Sequence, residues 1–255
     1  MERIPTEEEL DNHYSTYSYA SDRYLSDITI KSYNALLNSF ERYRENNRIL
    51  DVGCGRGWFL EEARKRGWAV YGTEYSKKAI EICESKGIRM KEGKLDSTSF
   101  DTKEFDVVTS FEVIEHINNP NEELNHINLL LRSGGFFYCT TPNFNSIMRY
   151  YLKSDYNIIE YPEHLSYYTK TTLNNAAVRN GFDIVKVLST GLSITRIKTS
   201  KKISSEKLAS ENSSDELLRQ KINKKWYLNL TKHLTNKILT ATSLGMTLKG
   251  YYVKP

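Results

Sequence analysis

The amino-acid sequence predicts a doubly wound α/β fold, in which helices cover both faces of a mainly parallel β-sheet. From residue 48 onward, short apolar runs typical of buried strands alternate with helical patterns. Alternation at this spacing implies βαβ units with right-handed crossovers. The 255 residues, 39% of them hydrophobic, suffice for a sizeable core.

Residues 1–47 are predicted to form an N-terminal helical cap, because an apolar stretch follows a segment rich in tyrosine. These tyrosines either pack the cap or form a lid over a substrate: Tyr14, Tyr17, Tyr19, Tyr24 and Tyr33. The first half of the sheet follows the cap. Its strands are predicted at 48–53, 69–75, 89–93 and 105–113, with helices over 58–67 and 76–87.

The second half of the predicted fold contains longer connections. Pro120 begins a helix that runs to the glycine pair 134–135, and another helix is predicted over 171–181. Strands are predicted at 136–142, 182–188 and from 247 to the end, and insertions at about 144–168 and 196–245. Within the second insertion, the Lys/Ser-rich residues 196–215 predict a mobile loop. An amphipathic helix to about residue 240 is indicated by a stripe at four-residue intervals: Ile222, Trp226, Leu230, Leu234 and Ile238.

Composition argues against several classes of protein. No stretch approaches the roughly 18 consecutive apolar residues of a membrane span, and the first residues lack the apolar core of a secretion signal. The three cysteines, Cys54, Cys83 and Cys139, never stand in C-x-x-C spacing, which argues against a disulfide framework or a zinc knuckle. We therefore expect a cytoplasmic protein.

The net charge of +4 is concentrated near the C-terminus. Residues 196–237 contain eleven basic and four acidic residues, a net +7 that leaves −3 for the rest of the chain. A solvated charged face is one interpretation. Another is contact with a membrane surface or a lipid-linked substrate through residues 219–240, where the apolar stripe adjoins Lys221, Lys224, Lys225, Lys232 and Lys237. We expect no nucleic-acid partner, because no RNA-binding motif accompanies the charge.

A glycine-rich turn joins the first predicted strand to the first helix. Gly53, Gly55 and Gly57 follow Asp51 in the pattern G-x-G-x-G, which differs from the G-x-G-x-x-G typical of nicotinamide dinucleotide sites. Glycines at such a junction let a ligand approach the backbone at the helix N-terminus. Glu74 ends the second strand, where an acid can accept hydrogen bonds from both hydroxyls of a ribose. These features predict a nucleoside-containing ligand.

Five segments carry a resemblance to a known family: LDVGCGRG (50–57), GTEYS (72–76), GKLD (93–96), FDVVTSFEVIEHINNP (105–120) and YPEHLSYYTKTTLNNAAVRNGF (161–182). With these, the sequence resembles the class I S-adenosylmethionine-dependent methyltransferases over roughly residues 45–190, and is similar to their ubiquinone-biosynthesis and sugar-methylating branches. The resemblance implies a methyltransferase domain over 48–255 with a seven-stranded Rossmann-like sheet whose last strand is antiparallel. It also implies S-adenosylmethionine as cofactor and S-adenosylhomocysteine as product.

The resemblance implies cofactor contacts for nine residues: Asp51, Gly53, Gly55, Gly57, Glu74, Tyr75, Leu95, Asp96 and Phe111. The first four would surround the methionine and ribose portions, and Glu74 would bind the ribose hydroxyls. Tyr75 would lie against the adenine, and Leu95 and Asp96 at its edge. Phe111 would line the far side. Many relatives have an acid directly after the glycine of GKLD, where this chain has Lys94.

For catalysis, we expect a general base near the acceptor, because a hydroxyl must lose its proton on methylation. His116 and His164 are the candidates, with Glu115 next to His116 as a group that could fix the imidazole tautomer. Either histidine could instead hold the surrounding loop in position. Glu112, Glu115 and His116 would share one face if helical, a pattern that can hold a divalent cation in ubiquinone-pathway O-methyltransferases. We do not expect a metal here.

The sequence thus predicts methyl transfer to a hydroxyl or amine of a small molecule, and the branch resemblance favours a sugar or surface-glycan precursor. An RNA- or protein-directed methyltransferase and a non-catalytic cofactor-binding protein remain alternatives. The oligomeric state is left open.

Overall fold

In a computed structural model of the chain, the described residues are 5–6, 9–10, 25–100, 105–159, 163–203, 211 and 213–255. Seven strands form one sheet in the order β3-β2-β1-β4-β5-β7-β6. Their bounds are β1 Arg48–Val52, β2 Ala69–Glu74, β3 Arg89–Glu92, β4 Phe105–Phe111, β5 Leu131–Pro142, β6 Asp183–Thr190 and β7 Thr247–Val253. Strand β7 runs antiparallel to both β5 and β6, and the other neighbours are parallel. The predicted seven-stranded fold is confirmed.

The described helices lie in the connections between these strands and before β1. They are α1 Asp27–Phe40, α2 Trp58–Lys65, α3 Lys77–Ser85, α4 Pro120–Leu130, α5 Ile147–Leu152, α6 Lys170–Arg179, α7 Ile194–Ser200, α8 Ser214–Lys224 and α9 Trp226–Thr242. A short 3₁₀ turn, Ile114–His116, follows β4. None of the described helices is long and apolar enough to cross a membrane.

Two apolar cores lie on opposite faces of the sheet. One contains Leu50, Val108 and Phe137 together with residues of α4 and α6. The other contains Ile49 and Val107 with residues of α1, α2 and α3. Neighbouring residues of β1 and β4 thus face opposite cores, as the alternation of side chains along a strand requires. This packing fixes the register of the central strands and brings their carboxyl ends to one edge.

The segment before β1 contains helix α1, which packs on α2. Leu37 and Phe40 are fully buried in its contact with the sheet, and Ser26 begins the helix by accepting a hydrogen bond from the backbone N–H of Thr29. Of the predicted cap's tyrosines, Tyr14, Tyr17, Tyr19 and Tyr24 lie outside the described residues. Of the five, only Tyr33 lies among the described residues, within α1.

Three sequence-based element boundaries differ in the structure. Helix α4 ends at Leu130 rather than at the glycine pair, because Leu131 is already extended and pairs with Phe105. The first residues of the predicted mobile loop are helical, since they belong to α7. Ser193 caps this helix, and its hydroxyl accepts from the N–H of Arg196 at 2.9 Å. The single amphipathic helix is broken at Lys225, which is extended between α8 and α9.

Candidate active site

The carboxyl ends of β1, β2 and β4 border a cavity of about 530 Å³. This volume lies within the range of roughly 300–1,000 Å³ usual for small-molecule sites. Eight of the predicted site residues line the cavity: Asp51, Gly53, Gly55, Glu74, Tyr75, Leu95, Phe111 and His116. Its position, where strand order reverses on either side of β1, is where open α/β sheets bind their ligands.

The glycine turn is close-packed as well as sharply bent. Gly53 has a φ of +63°, and a Cβ there would lie 2.7 Å from Cγ2 of Val113. Gly57 has a φ of +68° at the start of α2, and a Cβ there would lie 2.6 Å from Cδ1 of Ile88. Gly57 does not line the cavity. Gly53 therefore keeps the turn against the cavity wall, whereas Gly57 lets the start of α2 approach Cys83 of α3 and Ile88 just after it.

Glu74 is held at the cavity wall by the backbone. Its Oε2 accepts from the N–H of Gly55 at 2.9 Å, and Oε1 accepts from the N–H groups of Tyr75 and Ser76 at 2.8 and 3.2 Å. Glu74 also lines the cavity, where a carboxylate can accept hydrogen bonds from ligand hydroxyls. The contact with Gly55 also ties the glycine turn to the end of β2.

Asp51 is 3% exposed and lines the same cavity. The hydroxyl of Thr109 donates to its Oδ1 at 2.6 Å. Burial raises the pKa of Asp51 to about 8, and the nearby Glu74 carboxylate adds to this rise, while the Thr109 hydrogen bond opposes it. A ligand cation in the cavity would favour the charged form of Asp51.

The loop after β3 places its two predicted residues differently. Leu95 is buried and lines the cavity. Asp96 does not, because its carboxylate turns back and accepts from both the N–H and the hydroxyl of Thr98 at 2.6 Å. These bonds hold the pKa of Asp96 below its usual range. The structure therefore does not bring Asp96 to the cavity.

Aromatic side chains form one wall of the cavity. The ring of Phe111 lies 5.0 Å from that of Phe59 and 6.1 Å from that of Tyr33. Burial raises the pKa of Tyr33 to about 12, so its hydroxyl remains protonated. Because α1 carries Tyr33 into this wall, the segment before β1 contributes to the site.

The two predicted catalytic histidines lie together, with ring centroids 4.8 Å apart. Each Nδ1 lies 2.6 Å from a carbonyl oxygen, that of Glu163 for His116 and that of Ile158 for His164. A carbonyl only accepts, so Nδ1 carries the hydrogen in both rings and Nε2 is the basic nitrogen. His116 lines the cavity, whereas His164 does not.

Glu115 is 2% exposed and does not line the cavity. Its Oε2 accepts from the hydroxyl of Thr141 at 3.0 Å, and Oε1 lies 3.9 Å from Nε2 of His116. Among the described residues, no hydrogen-bond donor reaches Oε1. Burial, together with the nearby Glu112 carboxylate, holds the pKa of Glu115 well above its usual range. Glu115 is thus next to His116 but is not bonded to the nitrogen that fixes its tautomer.

The helical triad of Glu112, Glu115 and His116 does not form. Glu112 has a φ of +54° and precedes the 3₁₀ turn, so these residues do not share a helical face. Within the described part of the chain, the group whose ligand atoms come together, within 4.8 Å, is Glu115, His116 and His164. Two imidazoles and a carboxylate could in principle hold Zn²⁺ or a similar cation.

The cavity fits the predicted cofactor in the chemistry of its donors. Glu74 offers acceptors for a ribose, Asp51 an anionic partner for an ammonium, and Tyr75 and Leu95 apolar surface for a base. Sequence reasoning assigned no site role to several further polar lining residues, among them Asn118, Glu123 and Glu163. Only the fold brings these residues to the cavity.

Comparisons with known proteins agree with this geometry. A family model described as a methyltransferase domain matches residues 23–187. The chain is 31% identical over 126 residues to the ubiquinone biosynthesis O-methyltransferase of Pelagibacter ubique (strain HTCC1062), covering 48% of this chain and 52% of that protein. It thus spans about half the length of the curated relatives it matches.

Two solved structures share the fold. The first is a SAM-dependent methyltransferase from Archaeoglobus fulgidus, with 20% identity, 89% of this chain and 94% of that chain covered, and a TM-score of 0.58. The second is phosphoethanolamine N-methyltransferase 2 of Haemonchus contortus in complex with S-adenosyl-L-methionine. It has 16% identity, with 96% of this chain and 60% of that chain covered, and a TM-score of 0.62.

Proposed function

This chain belongs to the class I S-adenosylmethionine-dependent methyltransferases, and from that premise we propose that it methylates a hydroxyl group of a small molecule. The single observation that carries the proposal is His116, which lines the cavity with Nδ1 bonded to the carbonyl of Glu163. This bond leaves Nε2 as the basic nitrogen, which a general base requires. The similarity to an O-methyltransferase supports a hydroxyl acceptor over an amine.

Different residues of the cavity would bind the cofactor and accept the proton. Glu74 would accept from the ribose hydroxyls, and Asp51 would pair with the ammonium of the methionine portion. When bound, S-adenosylmethionine supplies an electrophilic sulfonium methyl, whose transfer to an acceptor oxygen leaves S-adenosylhomocysteine and releases one proton. His116 accepts that proton at Nε2. His164, whose ring contacts that of His116, holds it in position.

The acceptor class can be tested with S-adenosylmethionine carrying a labelled methyl group. A panel would contain nucleotide sugars and simple glycosides, phenols including catechols, and primary amines. We expect label on oxygen, with the sugars as the preferred acceptors. Label on amines alone would contradict the proposal, and binding of S-adenosylhomocysteine without transfer to any acceptor would favour a non-catalytic cofactor-binding protein.

We also propose that α9 lies against an anionic membrane surface while the enzyme meets its acceptor. Four apolar side chains of α9 are at least half exposed: Trp226 at 79%, Leu230 at 51%, Leu234 at 52% and Ile238 at 64%. Exposed lysines adjoin them, among them Lys224, Lys225 and Lys237. An apolar helix face beside lysines is typical of interfacial helices that bind acidic lipid headgroups.

Vesicle co-sedimentation tests this contact. We expect binding to phosphatidylserine-containing vesicles that weakens with salt and is lost in Leu230→Asp/Leu234→Asp. The matched control, Leu129→Asp, changes an exposed leucine of α4 and should bind as the wild type does. Equal binding of both variants, or no binding by the wild type, would contradict the proposal.

A further inference from the structure

Glu123 is a buried carboxyl in the cavity for which the mechanism above has no role. It lies on α4, is 3% exposed and lines the cavity together with Gly93, Lys94 and Leu95. Burial is the largest influence on the pKa of this carboxyl. No hydrogen bond from a described residue offsets the cost of removing it from water. An isolated polar group in such a position costs free energy unless a ligand supplies its partner.

The start of α4 is fastened to the loop that follows β3. The ammonium of Lys94 donates to Oε2 of Glu122 at 2.9 Å, and the N–H of Ser97 donates to Nδ1 of His126 at 2.9 Å. Leu95 packs in the same core as Leu124 of α4. These contacts fix Glu123 near Leu95. The ammonium of Lys94 pairs with Glu122, and its charge opposes the burial-driven rise in the pKa of Glu123.

The position of Glu74 indicates which part of the cofactor reaches Glu123. Tyr75, Gly93 and Leu95 line the same cavity as Glu74. With the ribose on Glu74, the attached base would lie against these residues of the loops after β2 and β3, as the resemblance to the methyltransferase family implies. Asp96 does not line the cavity there, because its carboxylate is engaged by Thr98. Glu123 is the acid that the structure supplies instead.

We propose that Glu123 recognises the adenine of S-adenosylmethionine by accepting a hydrogen bond from the 6-amino group and donating one to N1. The inference rests on the cofactor assignment and extends it to a specificity-determining residue. Burial raises the pKa of Glu123 to about 8, which keeps its carboxyl mainly protonated at neutral pH. A protonated carboxyl has one donor and one acceptor side by side, as this edge of adenine requires.

The proposal predicts how two substitutions should differ. A glutamine side chain also presents one donor and one acceptor and pairs with adenine through N6 and a ring nitrogen. Glu123→Gln should therefore keep its affinity for S-adenosylhomocysteine within about threefold. A leucine side chain has a similar volume but no polar group. Glu123→Leu should therefore bind S-adenosylhomocysteine about 10- to 100-fold more weakly, which corresponds to one or two unmade buried hydrogen bonds.

Isothermal titration with a pair of ligands identifies the contact. The pair is S-adenosylhomocysteine and its analogue with a purine base that lacks the 6-amino group. The wild type should prefer the adenine ligand by about 10-fold or more, Glu123→Gln should keep this preference, and Glu123→Leu should lose it. Glu81→Gln, the same change on an exposed glutamate of α3, should match the wild type. The same preference in Glu123→Leu as in the wild type would overturn the proposal.

A second readout does not depend on the leucine variant folding. When S-adenosylhomocysteine binds, the infrared C=O stretch of protonated Glu123 should shift, and this component should be missing from Glu123→Gln. A change that comes from Asp51, in the same cavity, should appear in both proteins and is identified by its loss in Asp51→Asn. Identical difference spectra for the wild type and Glu123→Gln would also overturn the proposal. If the wild type binds neither ligand, the cofactor assignment itself is wrong, whereas binding without discrimination removes only the role of Glu123.

Discussion

Replacing Gly53 by alanine tests whether the turn after β1 needs glycine for two separate reasons. The φ of +63° costs an L-residue about 1–2 kcal/mol. The added Cβ would also lie 2.7 Å from Cγ2 of Val113, and relieving such a clash in a packed region costs about 1–3 kcal/mol. Gly53→Ala should therefore lower the free energy of unfolding by about 2–5 kcal/mol.

Urea denaturation of a small set of variants separates the two costs. Gly191 has a φ of +85°, and a Cβ there would meet no described residue within 4 Å beyond its chain neighbours. Gly191→Ala should therefore lower the free energy of unfolding only by the cost of the positive φ, about 1–2 kcal/mol. Adding Val113→Ala to Gly53→Ala removes the clash. The decrease in unfolding free energy of the double variant should therefore be about 1–3 kcal/mol smaller than the sum of the decreases in the two single variants. Additive losses, with Gly53→Ala no worse than Gly191→Ala, would refute the reasoning.

Three further predictions concern the cavity. His116→Asn should lower kcat by about 10²- to 10⁴-fold with unchanged affinity for S-adenosylhomocysteine, and His164→Asn should lower it less; full activity of His116→Asn in the methyl-transfer assay would rule out this base. The folded state holds an extra proton on Asp51, because its pKa is about 8 when folded and about 3.9 when unfolded. The unfolding free energy should therefore fall as pH rises from about 4 to about 8, and urea titrations should show a flatter profile for Asp51→Asn. Dialysis against EDTA should leave activity unchanged, whereas loss and recovery with added Zn²⁺ or Mg²⁺ would make Glu115, His116 and His164 a metal centre.

The sequence predicts the central strands well because their signals are local. The apolar runs that become β1, β2 and β4 alternate with helical patterns, and Gly53 marks a turn that only a glycine can make without strain. The positions of Asp51 and Glu74 at the ends of β1 and β2 follow from the same pattern, since parallel strands end at one edge of the sheet.

Tertiary contacts decide what the sequence does not predict. Asp96 and Thr98 are neighbours whose hydrogen bonds turn the acid away from the cavity, while Glu123 enters it only because α4 packs on the loop after β3. Likewise, His116 acquires its tautomer from a carbonyl 47 residues further along the chain. No glycine or proline marks the break at Lys225, and the apolar stripe continues across it at the same spacing. The sequence therefore predicts one helix where the structure has two.

The central claim, that this cavity binds S-adenosylmethionine with Glu74 on the ribose, is tested most directly by calorimetric titration with S-adenosylhomocysteine. The wild type should bind one equivalent, and Glu74→Gln should bind about 10- to 100-fold more weakly, because hydrogen bonds to a charged acceptor contribute about 1.5–3 kcal/mol each. The control is Glu92→Gln, which changes the exposed register partner of Glu74 on β3 and should bind as the wild type does. No binding by the wild type, or equal binding by Glu74→Gln, would contradict the account.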